Sequence, residues 1–428
     1  MIDRSGVAED WFRLDNAAKI YPASCSDAAP AVFRVSARLS AAVRIDNLNR
    51  ALERVIPRLP YYQVNLRRGF FWYYLQRHSG IPRVELLSDS PITPIAIRRP
   101  GERLFRVQAR GSTVAIDMFH VLTDGFGAMR FLLTLIAEYL KLCGTEVAPG
   151  GWVLDAAAEP AAGEFEDAYK RYFRKGVPAP EALAPAYHLP YGLDRRRYRV
   201  LAGTASVAQI LDCARRRDVR LGEYLSAVYL HCIVRIRRQY AQVSRRRPRP
   251  IVRLEVPVNM RQVFPSETMR NFSLFVMPQL DLRLGDYSLD ETFELVRYQM
   301  RSQLDRRELG RQLARNVAGE LKPLIRVVPL FLKDVYLSYL HHKFGDRLYS
   351  GVLSNLGSIR LPEAMVPHVE SVGMTLPPNP ATKVNCAVVG YAGELAIRFG
   401  SLVKSSELER LFFQTLVAEG ASMRVAEE

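Results

Sequence analysis

His120, Asp124 and Gly125 lie in the run Val114-Ala-Ile-Asp-Met-Phe-His-Val-Leu-Thr-Asp-Gly-Phe-Gly127. An imidazole that is neutral near pH 7 can take a proton from an attacking hydroxyl, so His120 is a candidate general base. The spacing His-x-x-x-Asp-Gly puts a carboxylate and a glycine free to take φ > 0 into the same compact turn. His341-His342-Lys-Phe-Gly-Asp346 repeats the spacing, but Arg347 stands in place of the glycine and a helical stretch precedes it. His78, His188, His231 and His368 lack metal-ligand spacing, so no metal is expected. The chain has no G-x-S-x-G elbow, no Walker A loop and no dinucleotide G-x-G-x-x-G.

Two elements must position the imidazole. Val114, Ile116, Met118 and His120 alternate as on a strand, which delivers His120 at its end on a defined face. Met129, Leu132, Leu133, Ile136, Tyr139 and Leu140 then recur at helical spacing until Gly144. His120-Val-Leu-Thr-Asp124-Gly125 resembles the signature of the chloramphenicol-acetyltransferase-like superfamily, which includes condensation domains, wax-ester synthases, polyketide-associated acyltransferases and alcohol O-acetyltransferases. That signature is His-His-x-x-x-Asp-Gly with the second His catalytic; here Phe119 stands at the first.

Other segments extend the resemblance. Trp11 to Pro22 is similar to the start of bacterial proteins grouped with the alcohol acetyltransferases, and Arg58-Leu-Pro-Tyr-Tyr-Gln-Val-Asn-Leu-Arg67 resembles an early turn and strand of the superfamily. Pro257-Val-Asn-Met-Arg261, Arg270-Asn271-Phe272 and Ser354-Asn355-Leu-Gly357 resemble its downstream segments, whereas the Asp-Phe-Gly-Trp-Gly motif of plant acyltransferases is absent. The resemblance implies two related α/β halves, each a mixed sheet with helices, with a tunnel between them and the catalytic His where they meet. It implies a structural ion pair for Asp124, with Arg261 or Arg360 as partner, and Ser354 or Asn355 as a hydrogen-bond donor to an oxyanion. Asp124 as a relay to His120 stays open beside that role, and Gly125 would serve the turn.

The 428 residues can bury one large core or two ordinary ones. Phe33, Val35, Ala37 and Leu39 alternate with Arg34, Ser36 and Arg38 as a half-buried strand, and Ile45 to Ile56 is helical until Pro57. After an Ala/Pro-rich stretch at 144–190, helices and strands alternate again: a helix through Tyr224 to Ile236, a strand at Val252 to Val258, a capping box at Ser288, a hairpin at 383–399 and a last helix capped at Ser406. The expected division is 1–178, carrying the motif, and 179–428.

Hydrophobic residues make up 48% of the chain and charged residues 24%, which excludes a disordered protein. The net charge of +16 suits an anionic partner: nucleic acid, an acidic membrane surface, or the phosphates of coenzyme A. Five scattered cysteines, no secretory h-region after Met1, and a closest apolar run at Leu324 to Leu340 broken by Arg326, Pro329, Lys333 and Asp334 point to a cytoplasmic chain with no transmembrane segment. The leading expectation is transfer of an acyl group from acyl-CoA, as co-substrate, to an alcohol with formation of an ester, an amine being the secondary acceptor, and with no permanently bound cofactor. One alternative is a condensation-domain-like enzyme using an acidic acyl carrier protein, suggested by arginine runs at 215–217, 235–238 and 245–249. Another is a non-catalytic binding protein of the same fold. The chain shows no groove-reading motif, so nucleic acid is not an expected partner.

Overall fold

The computed structural model describes residues 11–99, 101–194, 198–243, 247–322, 327–341 and 345–428. Met1, Arg195, Arg196, Arg197, Arg245, Arg246, Arg326 and His342 lie outside the described residues. Two large sheets dominate. The first has five strands in the order Val369–Thr375, Val32–Leu39, Thr113–Phe119, Phe105–Arg110 and Glu85–Leu86. The second has eight: Ser273–Val276, Ile251–Asn259, Gly351–Ile359, Val384–Tyr391, Glu394–Ser401, Arg199–Ser206 and Met423–Glu427 in order, with Gln279–Asp281 also on Ile251–Asn259. Gly351–Ile359 runs parallel to both its neighbours, and the other pairs are antiparallel. A small sheet of Trp11–Arg13, Tyr73–Arg77 and Val64–Arg68 lies apart.

Helices cover both large sheets. Helix Ile45–Val55 buries Leu48, Ala51, Leu52 and Val55, spaced for one helical face, and packs on helix Gly125–Leu142. The latter is apolar almost all round and ends before Gly144, whose φ of +96° suits glycine. Helix Leu221–Val243 packs between Leu289–Gln303, Glu407–Ala418 and Ile251–Asn259. Ser288 and Glu291 form the expected capping box. Ser406, expected to cap the last helix, makes no side-chain cap bond; the Ser405 hydroxyl accepts from Glu407 N–H at 3.3 Å instead.

The two sheets share material. Val369–Thr375 comes late in the chain yet pairs with Val32–Leu39, from Val369 opposite Leu39 to Thr375 opposite Arg34. Strand Val384–Tyr391 is buried along its whole length because its faces serve different cores. Ala387, Val389 and Tyr391 join the core around the first sheet, and Val384, Cys386 and Val388 join that of the second.

Strand Val32–Leu39 departs from the half-buried expectation: Arg34 and Ser36 are buried too. Arg34 Nε and Nη2 donate to Asp117 Oδ1 and Oδ2 at 2.6 and 2.9 Å, and Nη2 also donates to Gln108 at 2.9 Å. Ser36 Oγ accepts from Arg398 Nη1 at 3.0 Å. The alternation seen in sequence therefore separates an apolar face from an internal polar one. Asp117 is fully buried, so Asp117→Ala leaves a guanidinium inside without its counter-charge. Chemical denaturation should show a loss of about 3–5 kcal/mol, and a change under ~1 kcal/mol would contradict the pair's role.

Candidate active site

The Thr113–Phe119 strand stops one residue before His120, whose N–H donates to Ala31 O at 2.9 Å as the ladder ends. The half-buried imidazole is held between rings, stacked on Tyr21 at 4.6 Å and 18° and tilted against Phe33 at 5.0 Å. Its Nδ1 lies 3.1 Å from Asn271 Oδ1. Asn271 Nδ2 in turn faces three acceptors: His120 O at 3.0 Å, Asp15 Oδ2 at 3.2 Å and Val121 O at 3.5 Å. Those acceptors fix which end of the amide carries the nitrogen. Oδ1 must then accept from His120 Nδ1–H, and the Nε2 lone pair is the basic one. Burial holds the His120 pKa below its ordinary value, against an upward pull from Asp124, so the ring is neutral at pH 7.

Asp124 makes its bonds elsewhere. It caps helix Gly125–Leu142, with Oδ1 accepting from Gly127 N–H at 3.3 Å. Oδ2 accepts from Phe272 N–H at 2.9 Å and from Arg261 Nη1 at 2.8 Å. Arg261 also donates to Asn259 Oδ1, Thr268 O and Arg270 O at 3.1, 2.9 and 2.5 Å, and its guanidinium lies 4.7 Å from the Phe126 ring centre. Both side chains of the pair are buried. Arg360, the other candidate, is exposed just past strand Gly351–Ile359.

Gly125 opens the helix without a left-handed φ, so the turn does not need glycine for its backbone angle. It needs the space: a Cβ there would sit 2.9 Å from Leu356 Cδ2 and 3.1 Å from Met374 Sδ, both from the C-terminal part of the chain. Gly127 is tighter still, with Tyr62 Oη at 2.6 Å and Met269 O at 2.7 Å from a Cβ built there.

Across from the motif, strand Gly351–Ile359 sends Leu353 into the second core while Leu356 meets Gly125. Ser354 pairs with Ala387 of the first core, so alternation puts its hydroxyl on the side of Leu356. Asn355 Oδ1 accepts from Gly357 N–H at 2.8 Å, closing a turn at the strand's irregularity where Gly357 has φ +78°. On the neighbouring strand Glu255 lies opposite Val352, hydrogen-bonds Tyr349, and is pushed up to about 7 by burial, with nearby Asp346 adding to the rise. Burial raises the Tyr21 phenol as well, with Glu255 and Asp15 adding to it. Asp346, from the repeated His spacing, accepts from Asn379 Nδ2 at 3.0 Å.

The N-terminal segment, known from sequence only by its resemblance, supplies Tyr21 and Asp15. Sequence reasoning also left Asn271 without a role; the Arg270-Asn-Phe272 segment was the one signal available. Among the described residues no group of three or more His, Cys, Asp or Glu could hold a metal ion, and no helix is long and apolar enough to cross a membrane.

Two mixed sheets whose cores meet across strand Val384–Tyr391, with the His-x-x-x-Asp-Gly turn packed against the C-terminal part of the chain, give the chain the chloramphenicol-acetyltransferase-like fold of condensation domains. Polyketide synthase associated protein 5 from Mycobacterium tuberculosis superposes with a TM-score of 0.60 at 14% identity over 96% of this chain and 97% of that one. A starter condensation domain of rhizomide synthetase in complex with C8-CoA gives 0.59 at 15% identity over 95% and 94%. The epimerization domain from the third module of tyrocidine synthetase B gives 0.58 at 11% over 96% of each. No family model and no curated protein matches the sequence.

Asp15 is fully buried, accepts from Ala18 N–H at 2.7 Å, and has its pKa raised from 3.8 to about 6 by burial, partly offset by Arg270. A carboxyl raised on folding contributes stability that is full below pH 4 and is lost as pH rises through 6. Two units correspond to about 3 kcal/mol. Urea denaturation between pH 4 and 7 should show wild type losing stability relative to Asp15→Asn. Parallel curves for the two proteins would contradict it.

Proposed function

We propose that this chain is an acyltransferase that moves an acyl group from acyl-CoA to an alcohol, with His120 as general base. The observation that carries the reading is the Asn271 contact, which leaves His120 Nε2 as a neutral, unprotonated nitrogen at the junction of the two sheets. Nε2 takes the hydroxyl proton as the alcohol oxygen attacks the thioester carbonyl. The tetrahedral oxyanion collapses, the C–S bond breaks, and the proton passes from His120 to the departing thiolate. The oxygen gains an acyl group, coenzyme A leaves as the thiol, and the enzyme returns unchanged. Asn271 acts here as a positioning residue, and the amide in place of a carboxylate keeps the ring from being charged before the alcohol arrives.

Asp124 and Gly125 serve the same chemistry indirectly, by fixing the turn that ends in His120. Ser354 is the hydroxyl offered to the oxyanion from the facing strand. The division at 178 and 179 then separates the base from that donor, so the reaction needs both halves. A structural neighbour of the same fold was solved with C8-CoA, which supports acyl-CoA as donor; an acidic carrier protein would deliver the same thioester.

Release of free coenzyme A from acetyl-CoA and longer acyl-CoAs, against a panel of alcohols and amines, tests the reading. Acceptor-dependent release should fall by about 10² to 10⁴ in His120→Ala with the fold intact. Near wild-type release in that variant would sink the mechanism. The same assay over pH should lose kcat/KM as pH falls through a value under 6.5, because a protonated His120 cannot accept. Asn271→Asp, which puts a carboxylate against Nδ1, should move that limb to higher pH; an unmoved limb would remove Asn271 from the site.

A further inference from the structure

A large uncharged face stands open beside the site. Helix Leu330–His341 turns its charged residues inward: Lys333 Nζ donates to Phe71 O at 2.8 Å and lies 3.7 Å from the Trp72 ring centre, and Asp334 accepts from Tyr73 Oη at 3.0 Å. What remains outward includes Phe331, Leu332, Val335 and Tyr336, each at least half exposed. Phe70, 71% exposed, and Phe71 form the tip between strands Val64–Arg68 and Tyr73–Arg77, and Phe70 O accepts from Leu330 N–H at 2.8 Å. Tip and helix are therefore one continuous surface, larger in apolar character than scattered surface residues account for.

The charge on the small sheet behind this surface is basic, with Arg68 lying 3.8 Å from Asp334 of the helix. The three strands of the small sheet read Trp-Phe-Arg, Val-Asn-Leu-Arg-Arg and Tyr-Tyr-Leu-Gln-Arg, giving Arg13, Arg67, Arg68 and Arg77 with no acidic residue. The whole chain carries +16. Aromatic and aliphatic side chains projecting past a basic stem match the depth profile of an anionic bilayer, whose acyl boundary lies beneath phosphate headgroups. An acidic protein surface would match the arginines but would desolvate its own carboxylates against the uncharged helix face without counter-charges.

We propose that the Phe70–Phe71 tip and the outward face of helix Leu330–His341 dock this protein on an anionic lipid surface. The helix packs on the Tyr21–Ser24 turn, whose Tyr21 stacks on His120, so the docked face borders the candidate site. The inference does not depend on acyl transfer, since binding is read without turnover.

Co-sedimentation with phosphatidylcholine vesicles, with and without 30% (roughly) phosphatidylglycerol, tests it. Wild type should be retained by the anionic vesicles and much less by the neutral ones, with retention falling as salt rises. Phe70→Ser with Val335→Ser should weaken partitioning at least ~10-fold, and Arg77→Glu on the stem about fivefold or more. Circular dichroism checks that both variants stay folded. A blue shift of wild-type tryptophan emission on adding anionic vesicles, from Trp72 behind the tip, gives a readout that needs no variant. Equal retention on both vesicles, or none on either, overturns the proposal. So does a dimer in sedimentation velocity that the double variant dissolves, which would assign the face to a second copy, or retention by an acidic carrier protein in place of lipid.

Discussion

The buried pair between Asp124 and Arg261 is the constraint on which the rest of the site depends. One carboxylate caps the motif helix, receives the Phe272 backbone N–H and neutralises a guanidinium that itself holds two backbone carbonyls of the 268–270 segment. Removing either charge would leave the other desolvated, so the geometry is held by a penalty for opening as much as by an attraction. Because Asn271 sits between the carbonyl at 270 and the N–H at 272, the same pair sets where its amide meets His120. His120 and Asn271 are 151 positions apart in sequence and meet through two hydrogen bonds, one to the ring and one to the backbone carbonyl.

This arrangement separates two tasks that a catalytic triad combines. In a triad the carboxylate both orients the imidazole and stabilises its charged form. Here orientation falls to a neutral amide, and the carboxylate is spent on the scaffold. Burial against Tyr21 and Phe33 then favours the neutral ring. In the proposed acyl transfer, such a ring would accept a proton without a standing charge to desolvate and hold it only until a thiolate takes it back.

Much of the fold could be read from local periodicity, because that pattern reports which side of an element meets a core. The strand before His120, the helix after Asp124 and the capping box at Ser288 are of this kind. Arg34 and Ser36 look solvent-facing by the same rule, yet partners from distant strands bury them, and alternation carries no information about partners. Gly125 shows a different limit. Its place in the motif suggested an unusual backbone angle, whereas what excludes a side chain is Leu356 and Met374 arriving from the other end of the chain. Asn271 and Tyr21 were illegible for the same reason: neither spacing nor composition says which loop will lie against a strand end more than 90 residues away.

Strand Val369–Thr375 closes the edge of a sheet whose other members were made long before it. During synthesis, Val32–Leu39 must wait with an open, partly apolar edge while more than 300 further residues leave the ribosome. Pairings of such sequence separation form late and slowly, and unpaired edges are where nascent chains aggregate. The sheet whose middle strand leads into His120 thus stays incomplete until residue 375 has been made, although its other strands all end by residue 119.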